Sequence, residues 1–163
     1  MRKLAKKILY IDLDNTLVDF QSGIDACTQE ELEKYKVDEI PGIFSRMKPR
    51  PGAADIVNAL SLYFDVYILT TAPWNNPSAW SDKLLWVQKY FGDVIKKKLI
   101  ICHHKNLLIG DYLVDYSPKN AVAEFHGEWL HFLEGERDER GYGVIDWKAT
   151  IDYLFQEENI KKC

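Results

Sequence analysis

Cysteine is scarce in these 163 residues, and Cys27, Cys102 and Cys163 are odd in number and irregularly spaced, with no Cys-x-x-Cys. That pattern excludes a disulfide framework and a cysteine-bound zinc, and it suits a reducing cytoplasm. An excess of one charge is missing too. The formal net charge is -4, which gives a nucleic-acid polymer no electrostatic platform while leaving free nucleotides open. Long hydrophobic runs are also absent. After the basic start Met1-Arg2-Lys3-Leu4-Ala5-Lys6-Lys7 the apolar stretch covers only residues 8–11 before two acids intervene. A run that short neither exports a chain nor anchors it in a membrane, so the lysines read as a solvated lead-in to a first strand. No internal repeat or low-complexity segment occurs. What the chain does have is apolar and aromatic residues, 47% and 13% of the total. These argue against disorder and supply the core of one domain, residues 1–163.

The segment Ile8-Leu9-Tyr10-Ile11-Asp12-Leu13-Asp14-Asn15-Thr16-Leu17-Val18-Asp19-Phe20 holds the strongest local signal. An apolar run ends in two carboxylates one residue apart. Side chains alternate along an extended chain, so Asp12 and Asp14 share a side if the strand persists past Asp12. Two anions held together call for a cation, most naturally oxygen-seeking Mg2+. The plain alternative is a strand end whose acids serve solvation and local hydrogen bonding.

Residues 7–12 read as a buried, central strand of a parallel sheet, apolar without alternation. Residues 21–36 carry only a weak helical pattern (Ile24, Leu32, Tyr35) and suit a small exposed insert ending near Pro49-Arg50-Pro51-Gly52. A helix follows from Pro51, with Ile56, Val57 and Leu60 on one stripe. Residues 64–70 form a second strand. In a helix over 77–91, Trp80, Leu84, Val87 and Phe91 recur at spacings of three and four, and Gly92 caps it. Residues 98–102, 112–115 and 128–133 give further strands, and 147–155 a closing helix with Ile151 and Leu154 inward. Alternating strands and helices predict an α/β fold, a parallel doubly wound sheet.

Such a sheet binds ligands beyond the carboxyl ends of its strands. Here those ends carry Asp12 and Asp14, then Thr70 and Thr71, then His103-His104-Lys105, then Asp115. The set suits a metal and a phosphate together: acids for the cation, Thr70, Thr71 and Lys105 for phosphate oxygens.

In that order the four strand ends resemble the haloacid dehalogenase-like (HAD) phosphatases, with Asp-x-Asp-x-Thr, then Ser or Thr, then Lys, then an acidic pair. More narrowly, Asp12 to Phe20, Pro51-Gly52-Ala53, Ile68-Leu69-Thr70-Thr71-Ala72-Pro73-Trp74, Trp86-Val87-Gln88-Lys89-Tyr90-Phe91-Gly92 and His104-Lys105-Asn106 resemble the 5'(3')-deoxyribonucleotidases. The resemblance implies a Rossmannoid three-layer α/β/α sheet with a small helical cap, residues 21–48, inserted after the first strand. It implies magnesium-dependent hydrolysis of nucleoside monophosphates, preferably deoxy ones, to nucleoside and phosphate. Carried over residue by residue, Asp12 is the nucleophile and Asp14 the general acid and base, whose carbonyl touches the metal. Thr70 and Lys105 meet the transferring phosphoryl group, Asp115 joins Asp12 and Asp14 around Mg2+, and Phe20 lies against the nucleobase. Phe44, in the roofing insert, and Trp74 are placed to line the same pocket.

One departure stands out. The family's acidic pair is followed by arginine, whereas this chain reads Val114-Asp115-Tyr116-Ser117, and Tyr116 is no carboxylate ligand. A catalytically impaired relative that binds nucleotide or phosphate is therefore a competing reading. A broad sugar-phosphate phosphatase is another, since the insert is short and the site correspondingly open. A short cap also leaves room for a second subunit, in a homodimer, to complete the pocket. A receiver-type signalling domain is disfavoured, because its phosphorylated aspartate ends the third strand. Several residues have plainer roles: Asn15 orients a loop, Thr16 orients it or begins a turn, Asp111 is a strand-entry turn, and Lys119 is a solvated lysine competing with Lys105 for phosphate. His103 and His104, adjacent on an extended chain, face opposite sides and cannot readily share an ion. Trp80, Trp86 and Phe91 fit a core-facing helix surface.

Overall fold

The structure is a computed structural model that describes residues 5–135 and 143–161. Residues 1–4 of the basic lead-in and Cys163 lie outside the described residues. The first strand, β1 (Ile8–Ile11), leads into a narrow antiparallel ribbon of β2 (Val18–Asp19) and β3 (Lys48–Pro49). Between the two ribbon strands lie three short helices, α1 (Phe20–Asp25), α2 (Gln29–Lys34) and α3 (Ile43–Arg46). Then come α4 (Ala53–Tyr63), β4 (Asp65–Thr70), α5 (Ser78–Phe91), β5 (Leu99–Ile101), β6 (Tyr112–Val114) and β7 (Glu128–Leu130). A second ribbon, β8 (Leu133–Glu134) with β9 (Val144–Ile145), precedes α6 (Trp147–Glu157).

Five strands build the main sheet in the order β5-β4-β1-β6-β7, every neighbouring pair parallel. β1 sits at the centre, as its uninterrupted apolar run requires. Strand alternation sends Leu9 and Ile11 into the large core that α3, α4, α5 and α6 cover, while Tyr10 joins Leu69, Leu113, Val122 and Phe125 on the opposite face. That second layer is thinner, closed by the turns that hold Val122 and Phe125. The strand that was expected over 128–133 stops at Leu130.

Two departures from the sequence reading matter for the site. The insert is not merely an exposed flap. Its α2 has no buried residue, but Ile40, Ile43, Phe44 and Met47 are buried in the same core as the sheet, and the Trp86 indole N–H donates to the Met47 carbonyl at 2.9 Å. The second departure is the orientation of α5. Val87 and Phe91 face inward, yet Trp80 and Leu84 are 42% and 45% exposed, and the buried face runs through Ala79, Lys83, Trp86, Val87 and Phe91. Apolar residues at spacings of three and four also fit a stripe displaced around the helix. The charged Lys83 hid the true one.

This orientation is testable by chemical denaturation. Trp86→Ala should cost about 3–5 kcal/mol, the usual range for emptying a large core site. Leu84→Ser should stay within about 0.5 kcal/mol, as exposed substitutions do. The reverse ranking would return Leu84 to the core.

Candidate active site

The sheet's carboxyl edge gathers the polar residues, but not by strand alternation. β1 ends at Ile11, and the Asp12 N–H still donates to the Val114 carbonyl at 2.9 Å. The chain then turns tightly: the Leu13 carbonyl accepts from the N–H groups of Thr16, Leu17 and Val18, and Asn15 takes a φ of 56°. Asparagine tolerates that left-handed geometry better than most residues. The turn is what brings Asp14 back beside Asp12.

Three charges form the deepest layer. Lys105, on a single 3-10 turn after β5, places its Nζ 2.8 Å from Asp12 Oδ1 and 2.6 Å from Asp115 Oδ2. The remaining oxygens are also engaged: Thr16 donates its hydroxyl to Asp12 Oδ2 at 3.3 Å, and the Ser117 N–H donates to Asp115 Oδ1 at 3.0 Å. Burial alone would lower the Lys105 pKa, but the two carboxylates outweigh it and hold the group above its ordinary value. Burial first, then the charge of Asp12, pushes Asp115 up to about 7 against the pull of Lys105.

Asp14 is held apart from this triad. Its Oδ2 lies 2.5 Å from the Nζ of Lys83, which also donates to the Thr70 hydroxyl at 3.0 Å and sits 4.4 Å from the centre of the Phe44 ring. Its Oδ1 is shielded from water and has no hydrogen-bond partner among the described residues. Desolvation raises the Asp14 pKa above the usual carboxylate value, with Lys83 opposing and Asp12 reinforcing the shift.

Two neighbouring cavities with shared walls border these groups. The smaller, about 70 Å³, is lined by Asp12, Asp14, Thr71, Lys105, Asp115 and Tyr116 among others. The larger, about 550 Å³, shares Asp14, Thr71 and Tyr116 and is walled by Phe20, Phe44, Trp74, Asp38, Glu39 and His103. A volume of that order suits a small organic ligand. Phe20 and Phe44 meet edge to face at 6.1 Å.

Most residues singled out in the sequence therefore meet at one place, with qualifications. Thr70 is fully buried behind the cavities and bonded to Lys83, whereas Thr71 lines both cavities and gives its hydroxyl proton to the Cys102 carbonyl at 2.8 Å. His103 bonds the Ala72 carbonyl and packs against Trp74, while His104 is exposed. Asp111 lies at the other end of the sheet, accepting the Ile8 N–H at 2.8 Å. Lys119 lines both cavities. Among the described residues no three His, Cys, Asp or Glu side chains stand in a metal-holding group. Lys83 was missed by the sequence reading. The signal was available: counting back in fours from Phe91 through Val87 reaches Lys83 and then Ala79, which puts a lysine on the inward stripe.

The fold is that of the haloacid dehalogenase-like proteins. A hydrolase of that family from Streptococcus pneumoniae superposes with a TM-score of 0.58 at 14% identity, covering 91% of this chain and 98% of its own. A haloacid dehalogenase-like family hydrolase from Xanthomonas campestris gives 0.54 at 11% identity, over 96% and 99%. Within that fold the match narrows: the family model for 5' nucleotidase, deoxy (pyrimidine), cytosolic type C protein covers residues 18–136. A Vibrio phage KVP40 protein named "Putative 5'(3')-deoxyribonucleotidase" is 48% identical over 158 residues, 96% of this chain and 89% of that protein. A Staphylococcus aureus (strain Mu50) protein of the same name is 32% identical over 98% of this chain and all of its own length. The chain belongs to the 5' nucleotidase, deoxy (pyrimidine), cytosolic type C family, among the phosphoric monoester hydrolases.

Removing Lys105 would leave two buried carboxylates facing each other. Lys105→Met should lower the free energy of unfolding by about 3–5 kcal/mol, as breaking a buried ion pair typically does. A denaturant titration reads the value, and a loss under about 1 kcal/mol would mean that the triad is not buried as described.

Proposed function

We propose that this chain is a magnesium-dependent phosphatase of deoxyribonucleoside monophosphates that works through an aspartyl-phosphate. The observation that carries the reading is a pair of neighbouring cavities that share Asp14, Thr71 and Tyr116: a small acid- and lysine-lined pit and a wider chamber walled by Phe20, Phe44 and Trp74. The pit suits a phosphate and the chamber a nucleoside, whose base has flat faces for aromatic contact. The names of the phage and staphylococcal relatives support the same substrate class. Free Cys27 and Cys102 accord with a reducing cytoplasm, and no helix among the described residues is long and apolar enough to cross a membrane.

In the first step an Asp12 carboxylate oxygen attacks phosphorus in line. The ester P–O bond breaks with its electron pair going to the sugar oxygen, and Asp14 gives that oxygen a proton. In the second step water attacks the phosphorus, Asp14 takes the water's proton, and the bond to Asp12 breaks to release phosphate. The raised pKa of Asp14 supports its carrying a proton at the start of the cycle. Lys105 neutralises charge near the phosphoryl oxygens, and Thr71 can reach the phosphate by turning its hydroxyl away from Cys102.

The donor chemistry fits a magnesium ion held with few protein ligands. Such an ion keeps several waters and takes one or two carboxylates plus substrate phosphate. The Asp12 and Asp115 carboxylates, each already hydrogen-bonded at both oxygens, and the Asp14 carbonyl would hold it. When bound, magnesium offsets the repulsion between the phosphate and the attacking carboxylate. The engaged Asp115 and the neighbouring Tyr116 are what favour the competing reading, a nucleotide-binding relative with impaired turnover.

Phosphate release from deoxyribonucleotide, ribonucleotide and sugar monophosphates, with and without magnesium, separates these readings. Turnover should be greatest on deoxyribonucleoside monophosphates, should need magnesium, and should fall by a factor of at least about 1,000 in Asp12→Asn, the scale of losing a nucleophile. Binding of nucleotide with no release would support the impaired relative, and preference for sugar phosphates the broad phosphatase. Tyr116→Asp should lower the magnesium concentration needed for half-maximal rate. No change would remove Tyr116 from the metal's surroundings.

A further inference from the structure

Lys83 has three contacts drawn from three parts of the fold: Asp14 on the turn after β1, Thr70 at the end of β4, and Phe44 on α3. Its side chain is 1% exposed, so these contacts replace essentially all of its hydration. Among the described residues Asp14 is the carboxylate paired with it, at 2.5 Å. A lysine ammonium has three donors and no acceptor. The other oxygen, Oδ1, is shielded from water and has no hydrogen-bond partner among the described residues. Asp14 itself lines both cavities.

We propose that Lys83 is a positioning residue: by holding Asp14 Oδ2 it fixes the carboxyl group in the orientation from which it serves the leaving group. This rests on the reading of Asp14 as proton carrier. The same contact explains why Thr70 is buried. Its hydroxyl accepts from Lys83 and braces the ammonium from the β4 side, leaving Thr71 to face the ligand. Phe44 completes the enclosure with its ring face, which attracts a cation. The insert thereby touches the proton carrier through one lysine.

The test uses the full chain and two substrates that differ in how much they need a proton donor. A deoxyribonucleoside 5'-monophosphate loses a basic alkoxide, whereas p-nitrophenyl phosphate loses a phenolate that departs without help. Lys83→Met should reduce kcat on the nucleotide at least ten-fold more than on the aryl ester, and Lys83→Arg should recover part of the difference. A side chain that merely stabilised the fold would depress both substrates alike, and equal losses, or none, would overturn the proposal. Should Lys83→Met fail to give a cooperative thermal transition, Lys83→Gln, which keeps a donor of similar shape, takes its place with the same two criteria. If the unaltered protein hydrolyses neither substrate, the phosphatase reading fails on its own. Crystal structures of the wild type and the Lys83 variant then decide the positioning: a rotated Asp14 carboxyl group in the variant supports it, and an unchanged one refutes it.

Discussion

The buried contact of the Lys105 ammonium with Asp12 and Asp115 is the constraint around which the site is arranged. It joins the end of β1, the end of β6 and the turn after β5, three elements distant in sequence. A cation withdrawn this far from water is tolerable only when its partners are close and otherwise hydrogen-bonded. Both requirements are met, since Thr16 and Ser117 supply donors to the outer oxygens. The geometry of the pit follows. The carboxylates cannot spread apart without stranding the lysine, and the lysine cannot leave without setting two anions against each other.

Beside this triad stands a second lysine and acid pair with a different character. Asp12 and Asp115 share one ammonium, whereas Asp14 has Lys83 on one oxygen and, among the described residues, no partner on the other. Two carboxylates one residue apart in the chain thus live in unlike surroundings: one is engaged at both oxygens, the other is held by half and raised in pKa by burial. Such a division is how two identical side chains take up different chemical duties. It arises from the turn over residues 13–18, not from strand alternation, because the strand has already ended at Ile11.

How much of this was readable in the sequence depends on the kind of information each feature needs. The parallel sheet, the central first strand and the gathering of Asp12, Asp14, Lys105 and Asp115 at one edge follow from apolar runs and the polar residues that end them. Local pattern carries that. The choice between Thr70 and Thr71 does not follow, since adjacent residues differ only in which way the last strand residue faces. Trp80 and Leu84 misled because a helix stripe and its neighbour, displaced by one residue, obey the same spacing rule. Lys83 went unseen because a lysine in a helix is usually solvated. Only the tertiary pairing with Asp14 makes its burial tolerable. The role of residues 37–47 as core was hidden likewise, because the weak pattern over residues 21–36 drew attention to the exposed half of the insert.

That docked half of the insert bears on how the chamber is roofed. Phe44, which roofs the chamber, is rooted by Ile40, Ile43 and Met47 in the same apolar mass that supports the sheet. Buried apolar contacts of this kind move a segment toward the stable end of the range of local opening. The roof and the floor therefore rest on one apolar core. At the other side of the chamber Trp74, 84% exposed, forms its rim.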